Sequence, residues 1–375
     1  MKARDVSRSP AYERRPTLCA VAHAAVRLAA QRQVQLVDAA RRGDSEAFRH
    51  LTQLHYRQLH VHCYRMLGSF HDAEDLVQET FVRAWRSLDT YESRAPFRSW
   101  LYKIATNACL KELERRPPRF PARDFGPQAD PALPPSAPVA EIVALDPYPD
   151  AVLNEIEDRS PGPEAQYTLR ESIELAFLTL IQVLPPRQRA VLLLRDVLGW
   201  RAAEVGTLLD ATTASVNSAL QRARATLAQR VARPGRQAAS LPASEAAERS
   251  LLGRYMTAWE RGDMDALATL LREDALLTMP PASTWFEGRD AIAAFFSSLC
   301  FSGEPKRFRM LATRANGLPA AAAYEWDRGS SGYRFSGLMA LRVEGDLVAE
   351  ITGFGDPGLF ALFRLPESIV GDETQ

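Results

Sequence analysis

The stretch from Leu184 to Leu227, LPPRQRAVLLLRDVLGWRAAEVGTLLDATTASVNSALQRARATL, constrains this chain more than any other. Pro185 and Pro186 suit the first turn of a helix, where a missing N–H costs nothing. Ala190, Val191, Leu194 and Leu198 then recur at helical spacing, and Gly199 ends the run. A second, short helix over Ala202–Leu209 buries Val205, Leu208 and Leu209, with Gly206 as the small surface where two helices cross closely. Asp210-Ala211-Thr212 forms the turn, because Asp tolerates a left-handed conformation. The third helix, Thr213–Arg230, turns Val216, Leu220, Ala223 and Leu227 inward. Its other side presents Thr213, Asn217, Ser218 and Gln221, then Arg222 and Arg224. Short polar groups at a helix start reach base edges in a major groove, and the arginines that follow hold phosphates. The stretch therefore reads as a helix-turn-helix. A plain helical bundle with a charged face does not account for the turn, the small residue and the basic tail together.

A chain of 375 residues with 46% hydrophobic content supports two or three packed domains. Its net charge of zero hides an asymmetry. Residues 185–236 hold nine basic and three acidic side chains, whereas 117–166 hold three and nine. Basic segments sit where nucleic-acid binding is expected, so the acidic linker and the acidic C-terminal third can compete with DNA for them. Ordinary variation in surface charge is the alternative. Cys19, Cys63, Cys109 and Cys300 are too scattered for a disulfide framework or a zinc site, and His60, His62 and Cys63 do not share one helical face. No metal, cofactor or catalytic residue is expected. No apolar run approaches the roughly 18 residues of a membrane span, and His23 and Arg27 interrupt the mildly apolar Leu18–Ala30. A cytoplasmic protein with no membrane partner is expected.

Composition divides the chain into an N-terminal extension (1–32, expected to be disordered), a helical unit (33–116), a Pro-rich acidic linker (117–165), a second helical unit (166–232), a short linker (233–243), a third domain (244–366) and a tail (367–375). The long linker is not uniform: Leu145, Tyr148, Val152 and Leu153 form an apolar patch fit to dock on something, and a cis-regulatory contact is expected there. In the first unit, Asp44 starts a helix with Ala47, Phe48, Leu51 and Leu54 inward, and another runs from about Gln58 to Leu67, ending at Gly68. In HDAEDLVQETFVRAWRSL, Asp72 is the expected N-cap and Leu76, Val77, Trp85 and Leu88 face a core. Asp75, Gln78, Glu79 and Arg83 form a polar edge, either solvated or docked on a partner helix. Tyr91, Phe97, Trp100 and Tyr102 interleave with Arg94, Arg98, Lys103 and Lys111, and Lys103, Asn107 and Lys111 line one helical face. Such a stripe suits single-stranded DNA, whose bases stack and whose phosphates need countercharge, although Phe97 and Trp100 are expected to be mostly buried.

Together these units resemble the sigma-70 factors. CYRMLGSFHDAEDLVQETFVRAW with FRSWLYKIATNACLKELERR looks like region 2, and LPPRQRAVLLLRDVLGWRAAEVGTLLDATTASVNSALQRAR looks like region 4. With only a linker between them, the order is similar to the extracytoplasmic-function (ECF) group. The resemblance covers about Leu36–Arg116 and Gln166–Arg230. It implies a subunit that binds core RNA polymerase and directs it to promoter DNA. By position it implies that Asp72, Asp75, Gln78 and Glu79 dock on the β′ clamp helices, with the β subunit as a further partner. It implies that the Asp89–Ser99 loop captures a flipped −10 base. Tyr91, Arg94, Arg98, Trp100, Lys103, Asn107 and Lys111 would then read and open the −10 element, and Thr213, Asn217, Ser218, Gln221, Arg222 and Arg224 would read −35. Asp210 stands where many helix-turn-helix units carry Gly, a departure that shifts the turn slightly at most.

The C-terminal third changes character. Glu245–Arg261 and Met264–Leu271 read as helices, Asp274–Met279 and Trp285–Arg289 as extended, and Asp290–Leu299 as a third helix. Phe308–Asn316, Ala320–Asp327, Tyr333–Val343 and Leu347–Phe354 read as four strands of an antiparallel sheet. YMTAWERGDMDALATLLREDALLTMPP with FEGRDAIAAFF resembles the SnoaL-like branch of the NTF2-like fold, which implies a cone with one apolar pocket. Enzymes of that fold use a pocket acid or His, and every His of this chain lies at or before His71. Asp274, Tyr324, Glu325 and Asp327 are candidates to line the pocket, without an evident acid/base pair. The expected architecture is multidomain: two all-α sigma domains, a region 2 bundle and a region 4 helix-turn-helix, plus an α+β NTF2-like cone. Sigma factors of the sigma-G and sigma-J types carry this appendage, and the resemblance implies control in cis by intramolecular contact or a small ligand. The competing readings are a ligand-sensing helix-turn-helix regulator and an NTF2-like enzyme tethered to a DNA-binding unit. The polar edge and basic stripe of the first unit argue against the former, and the missing pocket His against the latter.

Overall fold

The computed structural model describes residues 31–93, 95–116, 121–139, 145–157, 174–231, 244–301, 307–329 and 332–370. The expectation for the N-terminal extension falls almost wholly outside them. Residues 31–41 are helical (α1). Asp44 then caps α2 (Ser45–Leu67), its Oδ1 accepting from the Ala47 amide at 3.0 Å. One helix of 23 residues replaces the expected pair, because neither Gly nor Pro interrupts the run before Gly68. Leu54, expected inward, is exposed. In α3 (Phe70–Arg86) the N-cap is Ser69, not Asp72: Ser69 Oγ accepts from the Asp72 amide at 3.3 Å. Asp72 instead occupies the first turn and pairs with Arg116 at 2.8 Å. Trp85 is also corrected. The inward stripe of α3 is Ala73, Val77, Thr80 and Ala84, and the next residue is rotated out of it. Trp85 is therefore 38% exposed and lies edge-on against Phe48. Helix α4 (Phe97–Leu113) completes the first unit.

The described parts of the linker, 121–139 and 145–157, hold more structure than composition suggests. They contain one helical turn, α5 (Ala122–Phe125), and α6 (Asp150–Glu157). The second unit runs through α7 (Leu175–Gln182), α8 (Pro186–Leu192), a π-helical turn over Leu193–Val197, α9 (Ala202–Leu209) and α10 (Thr213–Val231). Asp210 takes the expected left-handed conformation, φ 51 and ψ 50. Gly206 is needed for the turn rather than for a helix crossing: a Cβ there would sit 2.7 Å from the Ala211 carbonyl oxygen.

In the third domain α11 (Glu245–Arg261), α12 (Met264–Thr269) and α13 (Arg289–Leu299) pack on one sheet. Its strands are β1 (Leu271–Thr278), β2 (Trp285–Glu287), β3 (Phe308–Ala315), β4 (Leu318–Asp327), β5 (Gly332–Glu344) and β6 (Leu347–Phe354), in the order β2-β1-β6-β5-β4-β3. The sheet is mixed, not purely antiparallel, since β1 runs parallel to β6. The tail adds a helical turn, α14 (Leu359–Leu362), and a strand, β7 (Ser368–Val370), paired to β5. Neither was expected.

One sheet face is covered by the helices and buries Ala321, Ala323, Met339, Leu341 and Ile351. The opposite face contributes Ala320, Leu338, Ala340 and Phe354 to a different core, shared with Leu359, Phe363, the linker residues Leu145, Tyr148 and Leu153, and the sigma-like units. Tyr148 is the centre of that junction. Its ring packs against Tyr64 and Phe70, and its hydroxyl is 3.1 Å from His60 Nδ1. The Tyr148 amide donates to Asn316 Oδ1 at 2.7 Å, and Asn316 Nδ2 donates to the Tyr64 hydroxyl at 2.9 Å. The Tyr64 hydroxyl in turn donates to the Asp146 carbonyl at 2.7 Å. Asn316 is fully buried at φ 56, a conformation that Asn tolerates better than most residues.

Burial also sets the acid stability of the first unit. Desolvation lowers the His60 pKa to about 4 and the His62 pKa to about 3. Both are neutral when folded and bind protons near pH 6.5 when unfolded, so the unfolded state holds more protons below that pH. Stability should therefore fall as pH drops from about 6.5 toward 4, by up to roughly 1.4 kcal/mol per pH unit for each histidine. Denaturant unfolding at about pH 7 and about pH 5 measures it, and His60→Phe should flatten the dependence.

Candidate nucleic-acid interface

Helix α10 presents Thr213, Asn217, Ser218, Gln221 and Arg222 to solvent, while Val216, Leu220 and Ala223 pack inward. Arg224 is exposed too, but Asp196 holds it with two bonds of 3.0 and 2.7 Å, which also raises its pKa. Arg230 pairs with Asp124 of the linker, a contact of the kind expected from the charge asymmetry.

On α4, Asn107 and Lys111 are exposed and Lys103 is half-buried, all on one face. Lys103 Nζ lies 2.9 Å from Asp210 Oδ1 and 3.3 Å from the Thr207 carbonyl, so the basic stripe meets the turn of the helix-turn-helix. The aromatic residues are not an open stacking platform. Tyr91, Phe97 and Trp100 pack on one another with centroids 5.2–5.5 Å apart, and buried Tyr102 packs on Trp200 at 5.3 Å. Arg98 lies over the Tyr102 ring, and Arg94 lies outside the described residues. Between Tyr91–Lys103 and the Trp200–Leu208 segment is a cavity of about 460 Å³.

On α3, Asp75, Gln78 and Glu79 are exposed, with Glu79 bonded to Arg83 at 2.6 Å. Asp72 is turned toward Arg116 and is separate from that edge. In the linker, Leu145, Tyr148 and Leu153 are buried and Val152 is half-buried.

Sequence reasoning missed the groups that join the two helical units. Arg189 is 4% exposed. Its guanidinium donates to the Met66 carbonyl at the end of α2, to Gln182 Oε1 at 2.6 Å and to the carbonyls of Gln182 and Leu184. Gln182 Nε2 adds a bond to the Arg65 carbonyl at 3.1 Å. Their distance along the chain, 123 residues from Arg189 to Met66, hides the pairing. Of the expected pocket residues in the third domain, only Glu325 lines the cavity between its helices and sheet. Asp274 is held by Arg272 of the same strand, β1, and that guanidinium keeps its carboxyl below the usual range. The Tyr324 hydroxyl donates to the Pro366 carbonyl on the other face, and the Asp327 carboxylate accepts from the Gly329 amide. Among the described residues no three His, Cys, Asp or Glu side chains are placed to hold a metal, and no helix is long and apolar enough to cross a membrane.

Residues 51–117 match sigma-70 region 2, residues 174–227 match sigma-70 region 4, and residues 252–351 match the SnoaL-like domain. The chain is 41% identical over 330 residues to the ECF RNA polymerase sigma factor SigG of Mycobacterium tuberculosis, covering 88% of this chain and 86% of that one. The chain belongs to the ECF sigma factors. The ECF RNA polymerase sigma factor SigW of Bacillus subtilis is 28% identical over 189 residues, which is 50% of this chain and 90% of that one. The crystal structure of the M. tuberculosis ECF sigma factor SigJ shares the fold, with a TM-score of 0.51 at 22% identity, over 83% of this chain and 97% of that one. As a sigma factor it binds core RNA polymerase and promoter DNA. The reading as a stand-alone regulator is not favoured, because region 2 accompanies region 4.

Among the contacts that hold region 4 of this sigma factor on region 2, the Lys103–Asp210 pair and the Arg189 network differ in strength. The Lys103–Asp210 pair is exposed and worth under about 1 kcal/mol, whereas losing Arg189 leaves buried acceptors such as the Met66 carbonyl and Gln182 Oε1 without a donor, at about 1–3 kcal/mol each. With dyes on Arg86 and Gln229, energy transfer should fall slightly in Lys103→Glu and fall much further in Arg189→Met. Equal transfer in Arg189→Met and the unchanged protein would show that this latch does not hold the units together.

Proposed function

We propose that this sigma factor rests in a closed form that holds its two promoter-reading helices too close together to read both elements, and that the SnoaL-like domain controls opening through the linker. One observation carries the reading. Lys103 and Asp210 are 2.9 Å apart, yet the −10 and −35 elements lie about 25 base pairs apart, or about 85 Å at 3.4 Å per base pair. A chain that reads both must part α4 from α9. Asp210 meets Lys103 with a carboxylate where DNA would bring a phosphate, and Asp196 and Asp124 hold Arg224 and Arg230 in the same way.

Once open, Asp75, Gln78 and Glu79 dock on the β′ clamp helices in the cytoplasm, with the β subunit as a further partner. Asp72 has its own structural partner and contributes less. Lys103, Asn107 and Lys111, with Tyr91, Arg94, Arg98 and Trp100, act on the −10 strand. Thr213, Asn217, Ser218, Gln221 and Arg222, released alongside Arg224, read −35. The SnoaL-like domain grips the linker at Tyr148 and at Asp150, which Arg314 Nε meets at 3.2 Å. Its tail residues Leu359 and Phe363 pack in the core shared with that linker. Tethering keeps the local concentration of this domain high, so a few kcal/mol of differential contact shifts the population strongly.

Transcription in vitro with core polymerase tests the reading. Gln78→Ala with Glu79→Ala should weaken core binding with the fold intact. Arg222→Ala should cost roughly 1–3 kcal/mol if it reads a base, and should instead lower the salt slope if it holds a phosphate. A pre-opened −10 bubble should rescue Asn107→Ala. Truncation at about Leu241 should lower activity by loss of a scaffold, and removal of Gly355–Gln375 alone should raise it. Asn316→Ala, which leaves the Tyr148 amide without its Oδ1 acceptor at a cost of about 1–3 kcal/mol, should also raise it. Equal activity of the full chain and both truncations would exclude control in cis.

A further inference from the structure

Where region 2 and region 4 face each other they enclose a cleft of about 460 Å³, within the size range of small-ligand sites. Neither region forms it alone. Region 2 supplies Tyr91, Glu92 and Trp100, and region 4 supplies Trp200, Glu204 and Leu208. Both indoles are half-buried, so each keeps part of its surface on the cleft. Neighbouring rings fix them in place: Phe97 packs on Trp100 at 5.5 Å, and Tyr102 on Trp200 at 5.3 Å.

The charge of the cleft is lopsided. Lys103 is the one cation among the described lining residues, and Asp210 meets its Nζ at 2.9 Å. That pair cancels, and the lining carboxylates of Glu92 and Glu204 leave the cleft negative. Glu204 is anchored at the start of α9, where its Oε2 accepts from the Arg201 amide at 2.7 Å. Aromatic faces and nearby carboxylates both attract a cation. Walls that are otherwise apolar favour a flat ring as the body that carries it. A free nucleotide fits poorly, because its phosphates would face the two glutamates.

We propose that this cleft binds a small aromatic ammonium compound, and that the ligand, by touching both regions at once, holds the sigma factor shut. The site exists only in the closed form proposed above, and rests on it. Tyr91, Trp100 and Lys103 are also among the residues proposed to act on the −10 strand, so ligand and promoter exclude each other. A ligand that binds only the closed form favours it by a factor of 1 + [L]/Kd, about 100-fold at a concentration about 100 times Kd.

The test uses the full chain and tryptamine, an indole that carries an ammonium group. The controls are 3-ethylindole, the ring without the charge, and indole-3-propionate, the ring with the opposite charge. Calorimetry should show saturable binding of tryptamine, about tenfold weaker for 3-ethylindole and weaker again for indole-3-propionate. Glu204→Gln keeps an acceptor for the Arg201 amide but removes the charge. It should weaken tryptamine about fivefold or more and leave 3-ethylindole unchanged. Thr207→Phe fills the cleft from the exposed side of α9 and should weaken both rings about tenfold at an unchanged melting temperature. With dyes on Arg86 and Gln229, excess tryptamine should restore much of the energy transfer that Arg189→Met loses. No saturable binding in a chain with high energy transfer would overturn the site and leave the closed form standing. Low transfer in the unchanged chain, with no binding and no rise on adding tryptamine, would overturn both. Equal binding of the three indoles, or undiminished tryptamine binding in folded Glu204→Gln and Thr207→Phe, would also overturn the site. Full-strength binding to Arg189→Met without any gain in transfer would overturn the bridging of the two regions.

Discussion

Where the two sigma regions meet, a guanidinium is almost wholly removed from water. Arg189 reaches from the start of region 4 to the C-terminal end of α2, and Gln182 reaches the neighbouring Arg65 carbonyl. The last carbonyls of a helix have no partner within it, and their partial negative charge favours a cation. The carbonyls and the Gln182 amide in turn offset the desolvation of the guanidinium, which unpaired would be prohibitive. This arrangement sets α9 beside α4. Trp200 then meets Tyr102, and Asp210 meets Lys103. The exposed ion pair is a consequence of the docking more than its cause.

The SnoaL-like domain is joined by a different kind of contact. Tyr148 and Asn316 exchange backbone and side-chain hydrogen bonds inside an apolar surround, with Tyr64 of region 2 as the third member. A polar network of this kind demands one register, because any slip leaves buried groups unmet. The linker is thereby made part of the interface, and region 2 and the C-terminal domain are clamped on opposite sides of the same few residues. The outer sheet face that an isolated cone would leave open is covered by them.

Electrostatics fits a surface that changes partner. Three acids, Asp124, Asp196 and Asp210, sit on basic residues of α4 and α10, the helices proposed to face DNA. The Asp196 and Asp210 contacts are exposed, so salt screens them. In the proposed open form, DNA phosphates, each with the same single negative charge as a carboxylate, would take their place. The exposed α10 residues proposed to read −35 remain accessible in the closed arrangement, whereas the α4 stripe is partly covered. The two surfaces therefore differ in how much opening they require.

Local pattern was enough for much of this protein. The turn at Asp210, the helix stop at Gly199 and the strands within Phe308–Phe354 follow from period, glycines and capping, which act over a few residues. The exposed residues of α10 followed from the same spacing. Errors came where neighbours decide: Ser69 displaced Asp72 as a cap, and Trp85 fell one position off the buried stripe of α3. The parallel pairing of β1 with β6 and the strand β7 were invisible, because pairing partners are chosen across the chain. So were the Arg189 latch, the Asn316 junction and the cleft that Trp100 and Trp200 share. The sequence by itself determined the three units and the faces each one presents. Only the tertiary structure decided which of those faces are covered, because burial and hydrogen bonding of distant groups are set by packing, not by periodicity.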